Sequence, residues 1–317
     1  MKRKYLVLVL LLLSLISIFI GAKEINIRNL LNFADEELQI LLISRLPRLI
    51  SILVAGMSMS IAGLIMQQIS RNKFVSPTTA ATIDSAKLGI LVSMIFFSRL
   101  GTIGRMLISF VFAIGGTLLF MQILRRVKFK NIVFIPLVGL MLGSIIDSVA
   151  TFFAYRFDLV QNINTWLQGD FSMIIKGRYE LLYISIPLLI IGFVYANKFT
   201  IAGMGEDFAV NLGLNYNQIV NIGVGIVAMI SSLVIITVGR IPFLGLIIPN
   251  IVTIFQGDNM KKNISYTALF GAIFLLFSDI LGRLIIYPYE IPISLTVGVI
   301  GSAVFLYLLG RGDKYGK

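Results

Sequence analysis

An all-α, polytopic membrane protein is the fold class this sequence predicts, and three observations carry it. Apolar residues make up 57% of the 317 residues and charged residues only 13%, whereas soluble domains carry about a quarter charged. The apolar residues come in long blocks, and crossing a hydrocarbon core of about 30 Å takes roughly 20 helical residues. The blocks run continuously, without the short apolar–polar alternation of a membrane β-barrel. About ten such spans fit the length, forming one transmembrane domain over residues 1–317.

The spans follow in order. Lys2, Arg3 and Lys4 precede the apolar run Leu6 to Ile20. A basic start before an apolar run also describes a signal peptide. Ile18, Ile20 and Ala22 make a poor small-residue cleavage site, so a first span is the expectation. A polar stretch from Lys23 to Glu37 leads to span two, about Arg45 to Ile69. Span three covers about Pro77 to Phe97, span four Met106 to Leu124 and span five Ile132 to Ala154. A long polar loop, Tyr155 to Glu180, holds Trp166, the single tryptophan. Span six is about Leu181 to Ala196, and a second polar segment runs from Asn197 to Asn217. Span seven is about Gln218 to Val238. Span eight, about Phe243 to Phe255, is short and contains Pro249, whose freed backbone acceptor must be shielded by neighbours at membrane depth. Spans nine and ten cover about Tyr266 to Ile286 and Ile293 to Leu309.

The net charge is +12. In a membrane protein its simplest source is basic loops on the cytoplasmic side, not nucleic acid. Starting the N-terminus inside places the densest cluster, Arg125-Arg126-Val127-Lys128-Phe129-Lys130, in the cytoplasm, along with both termini. Small residues at fourfold spacing, Gly56 with Ser60 and Gly139 with Gly143, suit close helix packing.

Much chemistry is absent. Without cysteine or histidine there are no disulfides, no thiolate or imidazole metal sites and no Ser-His or Cys-His machinery. The one Gly-Lys pair, Gly316-Lys317, stands outside any phosphate-binding loop. A membrane enzyme therefore has little to work with. No resident cofactor or metal is expected, and any metal handled arrives inside an organic ligand. Ionisable residues within spans are few. Asp84 with Lys87, and Asp279 with Arg283, have spacings that suit internal ion pairs. Asp147 has no local partner, and as a lone intramembrane carboxylate it keeps an ion-coupled secondary transporter open as an alternative.

Three constellations remain. Arg45-Leu46-Pro47-Arg48 places two guanidinium groups on one face at the start of span two; snorkelling at the membrane interface is the plainer explanation. Gly63-Leu64-Ile65-Met66-Gln67-Gln68-Ile69-Ser70-Arg71-Asn72-Lys73 ends that span. Gly203-Met204-Gly205-Glu206-Asp207-Phe208-Ala209-Val210-Asn211-Leu212-Gly213-Leu214 has the acidic start, apolar periodicity and glycine stop of a short helix.

Together these segments resemble the permease subunits of iron-siderophore, heme and cobalamin ABC importers, the FecCD type. The resemblance extends through Pro242-Phe243-Leu244-Gly245-Leu246-Ile247-Ile248-Pro249-Asn250, Ser278-Asp279-Ile280-Leu281-Gly282-Arg283 and Glu290-Ile291-Pro292-Ile293-Ser294-Leu295-Thr296-Val297-Gly298, and covers nearly the whole chain. There are departures: Lys73 replaces a usual proline, Asn250 a usual histidine, and Ala80-Ala81-Thr82-Ile83-Asp84-Ser85 a glycine-rich stretch. With Trp166-Leu167-Gln168-Gly169-Asp170-Phe171 they are similar to the branch for catecholate and petrobactin-type ferric siderophores.

The resemblance implies a type II ABC importer permease in a bacterial cytoplasmic membrane, multi-pass in the lipid bilayer, with no nucleic acid among its partners. A second permease subunit, identical or paralogous, two cytoplasmic ATPases and an extracytoplasmic siderophore-binding protein complete the assembly. It further implies docking of the binding protein at Arg45, Arg48 and Arg283. ATPase coupling falls to Gly205, Glu206, Asp207, Phe208, Leu212, Gly213 and Leu214, within a segment of about 199–214. The path and its inner gate fall to Asn131, Ile132, Val133, Phe134, Gly139 and Gly143. Asp279 and Arg283 are expected to pair structurally.

Overall fold

The computed structural model describes residues 3–21, 35–77, 81–126, 134–177 and 179–312, and every regular element among them is helical. At its centre runs helix α3 (Leu46–Ser70), preceded by α1 (Arg3–Phe19), α2 (Asp35–Ile40) and one wide turn, Leu41–Arg45. Pro47 sits in the first turn of α3, where a missing amide costs nothing. The middle of α3 is buried almost all round, from Ser58 to Gln67 without interruption. A helix with no polar face must be enclosed by others.

Small residues allow the enclosure. A Cβ on Gly56 would lie 2.8 Å from the Gly271 carbonyl oxygen, and one on Gly271 2.1 Å from Ser60 Oγ. This is how α13 (Met260–Leu284) comes to lie along α3. A Cβ on Gly63 would lie 1.8 Å from the Gly245 carbonyl oxygen, which brings in α12 (Leu244–Gln256). Helix α11 (Tyr216–Val238) closes a third side. A second group forms beside this core: α4 (Thr82–Phe96) packs on α5 (Thr102–Arg126) and on α6 (Phe134–Arg156).

Five helices among the described residues are long and apolar enough to cross a membrane: Glu37–Ser70, Thr102–Ile123, Leu137–Arg156, Tyr216–Val238 and Met260–Leu284. Expected span six is instead a broken pair, a 3-10 turn (Glu180–Ile184) running into α8 (Ser185–Val194) and then α9 (Ala196–Ala202), bent by 60°. Expected span three begins at Thr82 rather than Pro77. Helix α12 falls among the shorter apolar helices, and α14 (Ile293–Gly312) is the last described helix, with 20 residues. Length and composition thus mark five spans among the described residues, or six with the bent pair, and do not reach the expected ten; a short or broken helix survives where neighbours cover its ends.

The expected loop after α6 contains α7 (Val160–Leu167), which buries Ile163 and Leu167. The segment beyond it is tied down by backbone bonds. Arg240 N donates to Leu167 O at 3.0 Å, Asp170 N to Val238 O at 3.0 Å and Ser294 N to Gly169 O at 3.1 Å. Val160, Ile163, Trp166 and Leu167 share one face and pack together, but at eight residues between polar flanks the stretch is too short to stand out as a span and reads as a loop in sequence.

Overpacking at the α3–α12 contact should be costly. Gly63→Val is expected to lose about 1–3 kcal/mol or more and most of the monodisperse protein. Gly115→Ala, with no atom within 4 Å of the new Cβ, should leave both unchanged. Size-exclusion profiles and melting curves of the solubilised variants measure the difference.

Candidate functional site

Three places gather polar groups that lipid would not tolerate. The first joins the end of α1 to α3, α13 and the turn before α14. Arg48 Nη2 lies 2.8 Å from Asp279 Oδ1, and Arg48 Nη1 2.7 Å from Glu290 Oε2. Arg283 Nη2 pairs with Asp279 Oδ2 at 2.5 Å, one helical turn along α13. Arg283 also donates from Nη1 to the carbonyl oxygens of Ser17 at 2.9 Å and Ile20 at 2.8 Å, and Arg45 donates to the Ile20 carbonyl as well. The carbonyls left open at the end of α1 thus receive cations, which the helix dipole favours.

The arginines expected at a docking surface point into the chain. Arg45 and Arg283 are buried, and the Arg48 side chain is 12% exposed. The accessible member is Glu290, at 25%. Arg45 and Arg48 share a face as their spacing requires, and in apolar surroundings paired carboxylates and carbonyls hold a guanidinium better than a surface position does. Glu290 and Ser17 were missed as partners because they lie far from α3 in sequence.

The second place is the segment after α9. Helix α10 (Glu206–Asn211) is shorter than the expected 205–214 and is bracketed by Gly205 at φ +122° and Gly213 at φ +75°. Both glycines adopt backbone that L side chains resist. Ala209 is buried, while Met204, Phe208, Val210 and Leu212 are exposed, and so are Glu206 and Asp207. The segment leans on the end of α3. A Cβ on Gly203 would meet Gln68 Nε2 at 2.2 Å, and one on Gly205 would lie 3.4 Å from Arg71 Nη1. Arg71 itself caps α3 in a left-handed conformation, φ +50°. Neighbouring Gln67 reaches the other way, its Nε2 3.1 Å from the Leu246 carbonyl oxygen and 3.5 Å from that of Gly245. Pro249 cannot donate to Gly245, so Gln67 approaches the acceptor that Pro249 frees. Asn250 Nδ2 donates to Lys73 O at 2.8 Å. Two adjacent glutamines therefore connect the short surface helix with α12, around a cavity of about 350 Å³.

The third place is α6. Gly139 and Gly143 are buried, and a Cβ on Gly143 would meet Asp84 Oδ2 at 2.3 Å. Asp147 has a partner after all: Lys87 Nζ lies 2.7 Å from Asp147 Oδ1 and 2.7 Å from Thr151 Oγ1. Sequence reasoning paired Lys87 with Asp84 because α4 and α6 are adjacent only in space. Asn131, Ile132 and Val133 lie outside the described residues; Phe134 opens α6. No group of three or more acidic residues arranged to hold a metal occurs among the described residues.

Comparison with known proteins gives a consistent result. The model of the FecCD transport family matches residues 8–311. The chain is 60% identical over 315 residues to the petrobactin import system permease protein YclN of Bacillus subtilis, covering 99% of this chain and 100% of that one. It is 38% identical to the ferric-anguibactin transport system permease protein FatD of Vibrio anguillarum, over 94% of this chain and 95% of that one. Among solved structures, a metal-chelate type ABC transporter in an inward-facing conformation superposes with a TM-score of 0.85 at 22% identity, over 96% of this chain and 97% of that one. The PsaBC structure from Streptococcus pneumoniae gives 0.61 at 17% identity, over 89% and 93%. These two likenesses establish the fold.

Removing Asp279 leaves two arginines facing each other without their shared carboxylate. Asp279→Ala should cost about 3–5 kcal/mol, the usual penalty for breaking a buried pair. Arg45→Ala, which removes one cation from the α1 carbonyls, should cost less. Folded yield and melting temperature of the two variants give the comparison.

Proposed function

The chain belongs to the FecCD transport family, and on that premise we propose that it is the membrane permease of a binding-protein-dependent ABC importer for a catecholate or petrobactin-type ferric siderophore. The observation that carries this reading is the end-to-end identity with a petrobactin import permease. It is a transport subunit rather than an enzyme, and ATP hydrolysis lies on separate subunits. Iron is cargo wrapped in its chelator, so the chain needs no resident cofactor or metal ligand.

In this reading each subunit makes ten membrane passages, with both termini in the cytoplasm. Two permease subunits, identical or paralogous, enclose the path, and two ATPases bind below. The exposed side chains of Met204, Phe208, Val210 and Leu212 seat α10 in an apolar cleft of the ATPase. Movement there passes through Gly203 and Gly205 to Gln68 and Arg71, and through Gln67 to α12. At the outer end the binding protein docks over the Arg45, Arg48 and Arg283 network, competing through its own carboxylates for Arg48 beside Glu290. The inner gate of the path falls to Asn131 to Phe134, where Ile132, Val133 and Phe134 are apolar in sequence. Asp147, the lone carboxylate behind the ion-coupled alternative, is paired with Lys87.

Coupling gives the test. Gly213→Val forces a β-branched residue into φ +75°, a conformation costing it roughly 1–3 kcal/mol, so α10 should end differently while the bundle still inserts. The variant should copurify with the ATPase yet lose the stimulation of ATP hydrolysis by loaded binding protein. Phe208→Asp should weaken copurification itself. Unchanged stimulation and unchanged copurification in both variants would contradict the assignment.

A further inference from the structure

Helix α6 has two accessible flanks of opposite character. Ser144, Asp147, Ser148 and Thr151 recur at the spacing of one helical face, and the first three present accessible surface. Met141, Ile145, Val149 and Phe152 expose apolar surface on the other flank. Asp147 lies nine residues before the end of α6 at Arg156, about 13 Å along the axis, and so within a hydrocarbon layer of about 30 Å. An ionised group at that depth faces a protein neighbour or a water-filled passage, not lipid. The apolar flank suits lipid; on the other, Leu137 and Leu140 are also exposed and Ser144 and Ser148 close on their own helix, so Asp147 is the group that lipid does not suit.

The pair is also asymmetric. Lys87 is buried, 11% exposed, and committed to two acceptors at 2.7 Å. Asp147 is 41% exposed, and its Oδ2 has only a 3.5 Å approach from Thr151 Oγ1. Lys87 holds Oδ1 of the carboxylate from behind at 2.7 Å, which leaves Oδ2 toward the open side. Asp84 adds a second carboxylate within electrostatic range, partly offset by Arg240. What this surface offers is an anionic acceptor, and what it recognises is a donor.

Resting on the siderophore-import reading, we propose that Asp147 is a specificity-determining contact in the path, accepting hydrogen bonds from ammonium or amide N–H groups in the organic frame of the ferric chelate. The iron is sheathed in anionic oxygens, which a carboxylate repels. The nitrogen donors of the frame are the part it can hold. Lys87 is a positioning residue that fixes the carboxylate in place.

The test uses the complete transporter, with ATPase and binding protein, in proteoliposomes. Two ferric bis-catecholate probes of equal linker length are compared, one with a secondary ammonium in the linker and one with an ether oxygen. The wild type should favour the ammonium probe. Asp147→Asn should slow its uptake about tenfold, as loss of a charge-assisted hydrogen bond implies, while the ether probe is unaffected. The double exchange Lys87→Asp with Asp147→Lys keeps an ion pair between α4 and α6 but presents a cation, and should reverse the preference. If Asp147→Asn slows both probes equally, or the exchange restores the wild-type preference, the pair is only a clamp between helices and the proposal fails. Because the chain has no cysteine, Ser148→Cys adds a readout independent of transport. Charged thiol reagents should label it in the assembled transporter, with protection by the ammonium probe. A Ser148→Cys that stays unlabelled would mean that a second subunit covers the flank, which overturns the contact. A wild type that carries neither probe, in a transporter that hydrolyses ATP, refutes the import reading itself.

Discussion

Hydrocarbon supplies neither hydrogen-bond partners nor counter-charges, so every polar group that this chain takes into the membrane must be answered from within it. The arrangement of the helices follows from that constraint. Asp279 accepts both Arg48 and Arg283, and Arg283 continues to the last carbonyls of α1. One carboxylate thus fixes α1, α3 and α13 relative to each other. The acceptor freed by Pro249 is approached by Gln67. Two hydroxyls of α3 close on their own helix, Ser51 donating to Pro47 O at 2.7 Å and Ser70 to Met66 O at 2.6 Å.

Answering polar groups from within demands close approach, and the glycines of α3 provide it. Gly56 against Gly271, and Gly63 against Gly245, bring three helices near enough for Arg48 and Gln67 to reach across. The same closeness ties the α10 end of the bundle to its interior. Gln68 touches the segment leading to α10 while Gln67 reaches α12, so a push on the short helix meets side chains already in contact with the interior. No flexible linker separates the two.

Much of this was legible in the sequence where the signal is local. The apolar blocks gave the helical membrane class, Gly205 and Gly213 marked the limits of a short helix, and the i, i+4 spacing of Asp279 and Arg283 gave their pair. The family itself was readable because its segments recur in order along the chain. What escaped depends on contacts between distant residues. Glu290 and Ser17 join the arginines only once α1 and the turn before α14 are placed. Lys87 prefers Asp147 on α6 over Asp84 on its own helix, and no spacing rule reports that. Hydropathy counted ten spans with one ruler, yet α12 and the bent pair α8–α9 are short or broken, and such a helix needs neighbours to cover its ends.

The central claim is that this chain forms a path that ATP hydrolysis elsewhere drives, carrying an iron chelate intact. The most direct measurement is uptake of radiolabelled ferric siderophore into proteoliposomes holding the chain with its ATPase and loaded binding protein. The account predicts uptake that requires ATP, stops when the ATPase cannot hydrolyse it, and persists when ion gradients are collapsed. Uptake that continues without ATP and follows an imposed proton or sodium gradient would contradict it.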